Sequence, residues 1–328
     1  MKTSLSANDL QQTARGFSRA RVLLTGVELG IFALLARSPL PAVDVVDKLK
    51  SDPRATTIFL DALAAMGLLV KESGRYRTVP ALVPLLTDGS EESILPGLRH
   101  SAHLWNTWSQ LTDVVMEGGP ARRGEADRGD RIRAFIGAMH VTSSRAAPDI
   151  VEAVSPGKAR ALIDVGGASG SYTIEFLKTV PGMRATLFDL PDVIPMARER
   201  LTDQGLIDRV SLVAGDFNKD DLPAGHDLAF LSAIIHQNSH EENVALYKRV
   251  FDALDPDGRV VVRDYAMEGD RTRPASGALF AVNMLVNTDQ GNSYTFDEIK
   301  GGLEQAGFER VNLLRENEMY SLVEGFKP

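Results

Sequence analysis

The sequence contains no cysteine among its 328 residues and only two tryptophans. The missing thiols exclude disulfide bonds, a cysteine nucleophile and any zinc site that depends on cysteine ligands. An excess of basic residues is also absent, because 36 lysines and arginines stand against 44 aspartates and glutamates, for a net charge of −8. A non-specific nucleic-acid binder needs a basic face, so this composition argues against that class of protein.

A long uninterrupted apolar run is missing as well. Residues 20–37 are the most apolar stretch, but Glu28 lies inside it and Arg21 and Arg37 stand near its ends. This pattern favours a buried helix over a membrane span. The first nine residues carry no apolar segment typical of a signal peptide, so we expect a cytoplasmic protein that does not act at a membrane.

The first third of the chain has the pattern of a helical domain. Apolar residues recur through residues 8–37 at spacings that predict one helix with more than one apolar face, which another surface, such as a second subunit, must cover. Residues 40–80 predict a helix over 41–49, a second helix over 54–66 and a hairpin, which together form a winged helix. The second helix has no basic or amide side chain beyond Arg54, which disfavours DNA recognition.

Residues 91–116 predict a further amphipathic helix that carries both tryptophans, Trp105 and Trp108. A charged, glycine-rich segment follows, and it is the best candidate for a linker. A helix from residue 132 to 154 comes next. These patterns predict a helical domain over residues 1–116, a linker over 117–131 and a second domain over 132–328.

Residues 161–178 read as strand, turn and helix, with a short apolar run, a glycine turn and then a helical pattern. Glycines in such a turn let the backbone approach a ligand closely. The spacing Asp164-x-Gly166-x-x-x-Gly170 fits neither the dinucleotide fingerprint nor a phosphate-binding P-loop.

From this turn onward, strand patterns alternate with helix patterns. The predicted strands cover residues 161–165, 184–190, 209–214, 226–235, 259–266, 309–314 and 319–324. With helices between the first five strands, they predict an α/β fold with a doubly wound, mostly parallel sheet covered on both faces. In such sheets, ligands bind beyond the carboxyl ends of the strands.

Acids follow the second and third predicted strands. Asp189 can accept both ribose hydroxyls of an adenosine cofactor, a geometry that serves NAD equally well. Asp216 can accept the adenine amino group while Phe217 covers the ring.

His236 follows the fourth predicted strand, in front of a helix start at Ser239 and Glu242. A neutral imidazole there can accept a proton from an attacking hydroxyl. A metal site with His240 is disfavoured, because a third ligand is missing from the pattern. Asp264 ends the fifth strand and could orient the imidazole, but its spacing leaves open whether it reaches His236.

The segments Ile163–Gly170, Phe188–Pro191 and Gly215–Phe217, followed by a histidine after the fourth strand, resemble the small-molecule O-methyltransferases that use S-adenosylmethionine. That family methylates plant phenylpropanoids, hydroxyindoles and bacterial polyketides. The resemblance implies a class I methyltransferase fold, S-adenosylmethionine without a metal, and a homodimer formed through the winged-helix domain. The implied catalytic residues are His236 as base and Asp264 as the carboxylate that holds it.

The resemblance also implies two sets of binding residues. The cofactor set comprises Asp164, Gly166, Gly167, Gly170, Asp189, Leu190, Gly215, Asp216, Phe217 and Ser232. The acceptor set comprises Trp105, Trp108, Phe135, Met139, Asn283 and Met284.

Three segments depart from the family pattern, at four positions. Ala168 stands where the family has a third glycine, and Gln237-Asn238 replaces an Asp-Trp pair after the histidine. Ser293 occupies the position of a second acid.

The sequence therefore predicts methyl transfer from S-adenosylmethionine to a hydroxyl of an aromatic or polyketide-like small molecule. The alternatives are a methyltransferase that acts on nitrogen or carbon and an enzyme that binds S-adenosylmethionine without methylating, such as a hydroxylase or decarboxylase. A winged-helix regulator is a further alternative.

Overall fold

A computed structural model of the protein describes residues 5–90, 92–122 and 128–328. The chain forms two compact units, one of Met1–Trp105 with Gly129–Val141 and one of Asn106–Arg128 with Thr142–Pro328. The first unit contains α1 (Ala7–Glu28), α2 (Ile31–Arg37), β1 (Leu40–Pro41), α3 (Ala42–Leu49), α4 (Pro53–Ala65), β2 (Leu69–Glu72), β3 (Arg75–Thr78), α5 (Val83–Leu86) and most of α6 (Leu95–Trp108). In the described part of the chain, no helix combines the length and the apolar character needed to cross a bilayer.

The single helix predicted over residues 8–37 is wrong, because the chain breaks it into α1 and α2. Gly30 interrupts the helix with a φ of +65°, a left-handed conformation that glycine adopts without the steric cost of a Cβ. The break leaves Ile31, Phe32 and Leu35 of α2 in the core of this unit. The apolar pattern alone did not reveal it, since both helices present apolar residues.

The predicted winged-helix elements are present. Strands β2 and β3 pair antiparallel across a turn at Gly74, and β1, which the pattern did not predict, adds to β3. Helix α4 begins after Asp52, whose carboxylate accepts the Ala55 N–H at 2.7 Å and caps the helix.

The second unit contains the sheet. Its elements are α7 (Leu111–Glu117), the C-terminal part of α8 (Arg128–Val154), β4 (Ala161–Val165), α9 (Ser171–Thr179), β5 (Arg184–Asp189), α10 (Ile194–Asp203), β6 (Val210–Ala214), β7 (His226–Ser232), α11 (His240–Ala253), β8 (Leu254–Asp264), β9 (Ala266–Met267), α12 (Ala275–Asn287), β10 (Tyr294–Thr295), α13 (Phe296–Gln305), β11 (Glu309–Glu316) and β12 (Ser321–Phe326).

Seven strands form the main sheet in the order β11-β12-β8-β7-β4-β5-β6. The five strands from β8 to β6 are parallel, and β12 and β11 add antiparallel at one edge. This is the predicted doubly wound, mostly parallel sheet. The chain moves outward from β4 to β5 and β6, then returns to β7 on the other side, so the crevice expected for a ligand opens beside β4.

Side chains on the two faces of the sheet enter different cores. Val165, Leu231 and Val262 pack with α11 and α13, whereas Leu162, Phe230 and Val261 pack with α8 and α9. We call these the α11 face and the α9 face. Consecutive residues of a strand point to opposite faces, so each residue at a strand end is directed to one side of the ligand crevice.

Several predicted boundaries are wrong. No helix lies between β6 and β7, where residues 215–225 form turns and loop, and β7 ends at Ser232 rather than at residue 235. The predicted helix over 91–116 is two helices, α6 and α7. Helix α8 begins at Arg128, inside the predicted linker 117–131, of which residues 123–127 lie outside the described residues.

Candidate active site

The glycine turn after β4 is tightly packed. Gly166 and Gly170 have φ values of +68° and +78°, and Ala168 between them has a φ of +49°. A Cβ at Gly166 would lie 2.5 Å from Ile234 Cδ1, and one at Gly167 would lie 2.7 Å from Leu187 Cγ. Only glycine fits these two positions without displacing its neighbours, so the turn packs closely against Ile234 and Leu187 at the carboxyl edge of the sheet.

Asp164, near the end of β4, stabilises this turn through a contact with α9. Its carboxyl group is almost fully buried and accepts the Thr173 hydroxyl at 2.6 Å, which connects β4 to the first turns of α9. Burial raises the pKa of Asp164 to about 6, and the hydrogen bond from Thr173 opposes that rise. Asp164 therefore acts on the shape of the turn.

Asp189 ends β5 beside the same turn. Its two carboxylate oxygens accept the backbone N–H groups of Ala168 and Leu190, each at 2.7 Å. Burial raises its pKa, and these two hydrogen bonds counteract the rise. Each carboxylate oxygen has a second lone pair, so the oriented group can still accept a pair of hydroxyls. Leu190 is 42% exposed next to it and offers an apolar surface.

Asp216 and Phe217 follow β6 in the loop where a helix was predicted. The Asp216 carboxylate accepts the Asn218 N–H at 3.0 Å and Lys219 Nζ at 2.8 Å, and the Lys219 contact is the main reason why its pKa is lowered. The Phe217 ring lies near the glycine turn, 3.5 Å from the position of a Cβ on Gly166. Gly215 has no room for a Cβ, which would overlap the Phe188 ring.

His236 lies on a 3₁₀ turn formed by Ile235–Gln237, four residues beyond Ser232, where β7 ends. Its Nδ1 is 2.9 and 3.0 Å from the two carboxylate oxygens of Asp264, so the structure brings together the pair that the spacing left open. Asp264 is buried and also accepts the Tyr265 N–H at 2.8 Å. A carboxylate at Nδ1 holds the proton there and leaves Nε2 as a proton acceptor.

Phe280 is a neighbour of the imidazole that the sequence analysis did not identify. Its ring on α12 packs edge-to-face with His236, with centroids 4.7 Å apart at 86°, and it also contacts Tyr265. No pattern distinguishes Phe280 from the other apolar residues of its helix. The Ser293 hydroxyl, at the position of the family's second acid, donates to the Gly277 carbonyl at 2.9 Å.

A buried asparagine network fixes the turn that carries His236, and the sequence analysis missed this as well. Asn218 and Asn238 exchange two side-chain hydrogen bonds of 2.8 and 3.1 Å. Asn238 also bonds to Asn243, which in turn donates to the Ile235 carbonyl at 2.9 Å. Asn238, where the family pattern has tryptophan, thus connects the loop after β6 to the turn after β7.

The acceptor residues predicted in the second unit lie on α6 and α12. Trp108 donates its indole N–H to Asn283 Oδ1 at 2.9 Å, and Met284 is buried next to Asn283 in the sequence. The structure therefore brings the Trp108 and Asn283 side chains together.

The acceptor residues predicted in the first unit lie on α6 and α8. The Arg21 guanidinium lies over the Trp105 ring, and Phe135, 44% exposed, packs edge-to-face with His100. Met139 is on α8, one turn after Phe135. Their role at an acceptor stays a prediction.

This sheet, with its glycine turn and with acids following its neighbouring parallel strands, is the fold of a class I methyltransferase. A family model for an O-methyltransferase domain matches residues 108–309, and one for an O-methyltransferase dimerisation domain matches residues 11–87. The chain therefore belongs to the O-methyltransferase family that depends on S-adenosylmethionine. Within the described residues, no group of three or more histidine or acidic side chains is suited to hold a metal ion.

Three relatives illustrate the match. The chain is 32% identical to the tetracenomycin polyketide synthesis 8-O-methyltransferase of Streptomyces glaucescens, covering 98% of this chain and 96% of the relative. It is 31% identical to the 3-hydroxy-5-methyl-1-naphthoate 3-O-methyltransferase of Streptomyces sahachiroi, covering 93% and 90%. The solved structure of human N-acetylserotonin methyltransferase in complex with S-adenosylmethionine aligns with a TM-score of 0.83 at 26% identity, covering 100% of this chain and 99% of that one.

Proposed function

We propose that this enzyme methylates a hydroxyl of an aromatic, polyketide-derived small molecule, with His236 as the general base. The observation that carries this proposal is the His236–Asp264 pair at the carboxyl edge of the sheet, one strand away from the glycine turn. The two Streptomyces relatives described above are named for O-methylation, and one of their names gives a hydroxylated naphthoate as acceptor.

The residues at the strand ends fit an adenosine cofactor. Asp189 would hold the ribose hydroxyls through its remaining lone pairs, and Asp216 with Phe217 would hold the adenine. Because Gly166, Gly167 and Gly170 have no side chains, the cofactor would be able to approach the backbone of this turn. When bound there, S-adenosylmethionine supplies an electrophilic methyl group attached to a sulfonium.

His236 would remove the proton of the acceptor hydroxyl through Nε2. Asp264 holds the proton of the neutral ring on Nδ1 and would stabilise the imidazolium that forms after the transfer. The Phe280 edge contact restricts rotation of the ring. The protein's main contributions are then alignment of the acceptor and acceptance of one proton.

Trp108, Asn283 and Met284 would contact the acceptor in the second unit. The hydrogen bond from Trp108 fixes the Asn283 oxygen and leaves the indole ring as an apolar surface beside it. An aromatic acceptor with a polar substituent matches such a combination.

The enzyme would act as a homodimer through its dimerisation domain. Leu10 and Phe17 on α1 are 57% and 61% exposed, as expected for a helix face that a second copy covers.

A panel of phenolic, naphthol and amine acceptors, assayed with labelled S-adenosylmethionine, tests the proposal. Amines are included because a third relative, 30% identical over 93% of this chain, is named an N,N-dimethyltransferase. We expect label in hydroxyl-bearing aromatics. Transfer to amines alone, or no transfer to any acceptor despite cofactor binding, would contradict it.

The base role is tested by His236→Ala. We expect unchanged affinity for S-adenosylhomocysteine in calorimetry and a loss of about 10²–10⁴-fold in turnover, the usual contribution of a positioned base. The matched control is His240→Ala, which removes a histidine at the start of α11 and should leave turnover unchanged. Equal turnover in the two variants would disprove the base role.

A further inference from the structure

Arg263 is a cation at the carboxyl edge of the sheet that has no acidic partner in the described part of the chain. It lies near the end of β8, with its guanidinium over the Tyr320 ring at 5.1 Å. Its Nε is buried and makes no hydrogen bond with any described residue. The buried Nε has lost its hydration without a described group to replace it, so the site is suited to receive a hydrogen-bond acceptor, and the positive charge favours a negative one.

The buried hydroxyl of Tyr172 is a further hydrogen-bond donor near this cation. Tyr172, in the first turn of α9, is 7% exposed, and its hydroxyl is buried and makes no hydrogen bond to a described residue. Ser232 is a neighbour of that hydroxyl. Burial raises the pKa of Tyr172, while the Arg263 charge and the Ser232 hydroxyl act in the opposite direction. The Tyr172 ring packs against Phe230, two residues before Ser232 on the same face of β7, and Ser232 is paired with Arg263, so the three donors lie on one face of the sheet.

The register of the sheet gives the position of these donors relative to the glycine turn. Val165 pairs with Leu231 and Ser232 pairs with Arg263, so Gly166, Ser232 and Arg263 follow one another on adjacent strand ends. Strands lie about 4.8 Å apart, which puts Arg263 about 10 Å from the turn. Asp189 and Asp216 lie in the opposite direction, after β5 and β6.

A ligand that lies along this edge with its adenosine at Asp216 and Asp189 crosses the glycine turn and ends at Ser232 and Arg263. The end of S-adenosylmethionine opposite to the adenosine is an amino acid with a carboxylate. Arginine is the side chain best matched to a carboxylate, because its planar donors form two parallel hydrogen bonds.

Arg263 and Asp264 are consecutive and therefore point to opposite faces of the sheet. Arg263 lies over Tyr320, which belongs with Tyr172 to the core on the α9 face, whereas Asp264 holds His236 on the other side. A carboxylate at Arg263 is thus kept away from the proposed base, and the reacting centre lies between the two.

We propose that Arg263, Tyr172 and Ser232 form a carboxylate subsite, which binds the amino-acid end of the cofactor. This inference deepens the proposed function at the same site, but it does not depend on which group is methylated or on the role of His236. The same donors could instead bind the carboxylate of an acid acceptor, and the experiment separates these two sources.

Calorimetry with two ligands tests the subsite on the full-length enzyme. S-adenosylhomocysteine carries the carboxylate, and 5′-methylthioadenosine lacks the whole amino-acid end. We expect Arg263→Gln to lower the affinity for S-adenosylhomocysteine by about 10–100-fold, the range for a hydrogen bond to a charged group. The affinity for methylthioadenosine should not change. Arg263→Lys should recover part of the loss, because it restores the charge without the planar fork.

Tyr172→Phe provides a readout that a purely structural role would not give. Removing a buried hydroxyl that has no partner should leave the melting temperature unchanged or higher. The same substitution should lower the affinity for S-adenosylhomocysteine a few-fold, again without an effect on the affinity for methylthioadenosine. The control is Arg310→Gln, an exposed arginine that also covers an aromatic ring, Phe326, and should alter neither affinity.

Equal weakening of both ligands by Arg263→Gln would show a general structural effect and overturn the proposal. Unchanged affinity for S-adenosylhomocysteine would also overturn the assignment to the cofactor. If Arg263→Gln left the affinity for S-adenosylhomocysteine unchanged but raised the KM for a naphthoate and not that for the matching naphthol, the carboxylate bound at this site would be that of the acceptor.

Discussion

Replacing Asp264 by asparagine should reverse the tautomer of His236. Oδ1 of Asp264 accepts the Tyr265 N–H at 2.8 Å and lies 3.0 Å from His236 Nδ1, and Oδ2 lies 2.9 Å from the same nitrogen. In the asparagine variant we expect the backbone N–H to take the amide oxygen at the Oδ1 position, which leaves the NH₂ group at the Oδ2 position, the one nearer to Nδ1. An imidazole that accepts from this NH₂ group at Nδ1 carries its proton on Nε2, where it cannot act as a base.

The magnitude follows from two losses. Turning the amide so that its oxygen faces His236 would bring two donors together and leave a buried N–H without a partner, at about 1–3 kcal/mol. Loss of the negative charge removes a charge-assisted hydrogen bond from the imidazolium, worth about 1.5–3 kcal/mol. Together these predict a fall in turnover of about 10²–10⁴-fold, at 1.4 kcal/mol per factor of ten.

Single-turnover assays with saturating cofactor would measure this loss, and calorimetry should show unchanged affinity for S-adenosylhomocysteine. Because Asp264 acts only through His236 in this scheme, the double variant His236→Ala/Asp264→Asn should be no slower than His236→Ala alone. A loss of less than about tenfold in Asp264→Asn, or additive losses in the double variant, would refute the reasoning.

Two further predictions concern stability. Ala168→Gly should raise the free energy of unfolding by about 0.5 kcal/mol in a urea titration. The alanine at this position has a left-handed backbone, which costs about 1–2 kcal/mol, and relief of this strain exceeds the entropy cost of glycine. The control Ala62→Gly, within α4, should lower the free energy of unfolding by about 1 kcal/mol in the same titration. Burial raises the pKa of Asp164 from 3.8 to about 6, so the folded state binds the proton more tightly than the unfolded state. The contribution of Asp164 to the free energy of unfolding is therefore fully present below pH 4 and is lost, by about 3 kcal/mol, as the pH rises through 6. Urea titrations from pH 4 to 7 should show a smaller fall in the free energy of unfolding for Asp164→Asn than for the unmodified protein.

The sequence located the chemistry at the strand ends because the relevant signals are local. The glycine turn, Asp189 and Asp216 each directly follow an apolar run, and parallel strands bring their carboxyl ends to one edge. Whether Asp264 reaches His236 could not be read from spacing, because it depends on β7 and β8 being neighbours in the sheet and on the 3₁₀ turn that follows β7.

Other features depend on contacts distant in sequence. Phe280 and Arg263 look like ordinary helix and strand residues until α12 is packed beside His236 and β8 is paired with β7. The break at Gly30 was hidden because the apolar pattern continues through it. Asn238 was noted only as a departure from the family, whereas its amide forms a buried network that its neighbours in the sequence do not reveal.

That network has a mechanical consequence. The reciprocal bonds between Asn218 and Asn238 connect the loop beside Asp216 to the segment that bears His236, so we expect a displacement of one segment to be transmitted to the other. We therefore expect a cofactor that binds at the proposed adenine site beside Asp216 to influence the orientation of the His236 imidazole.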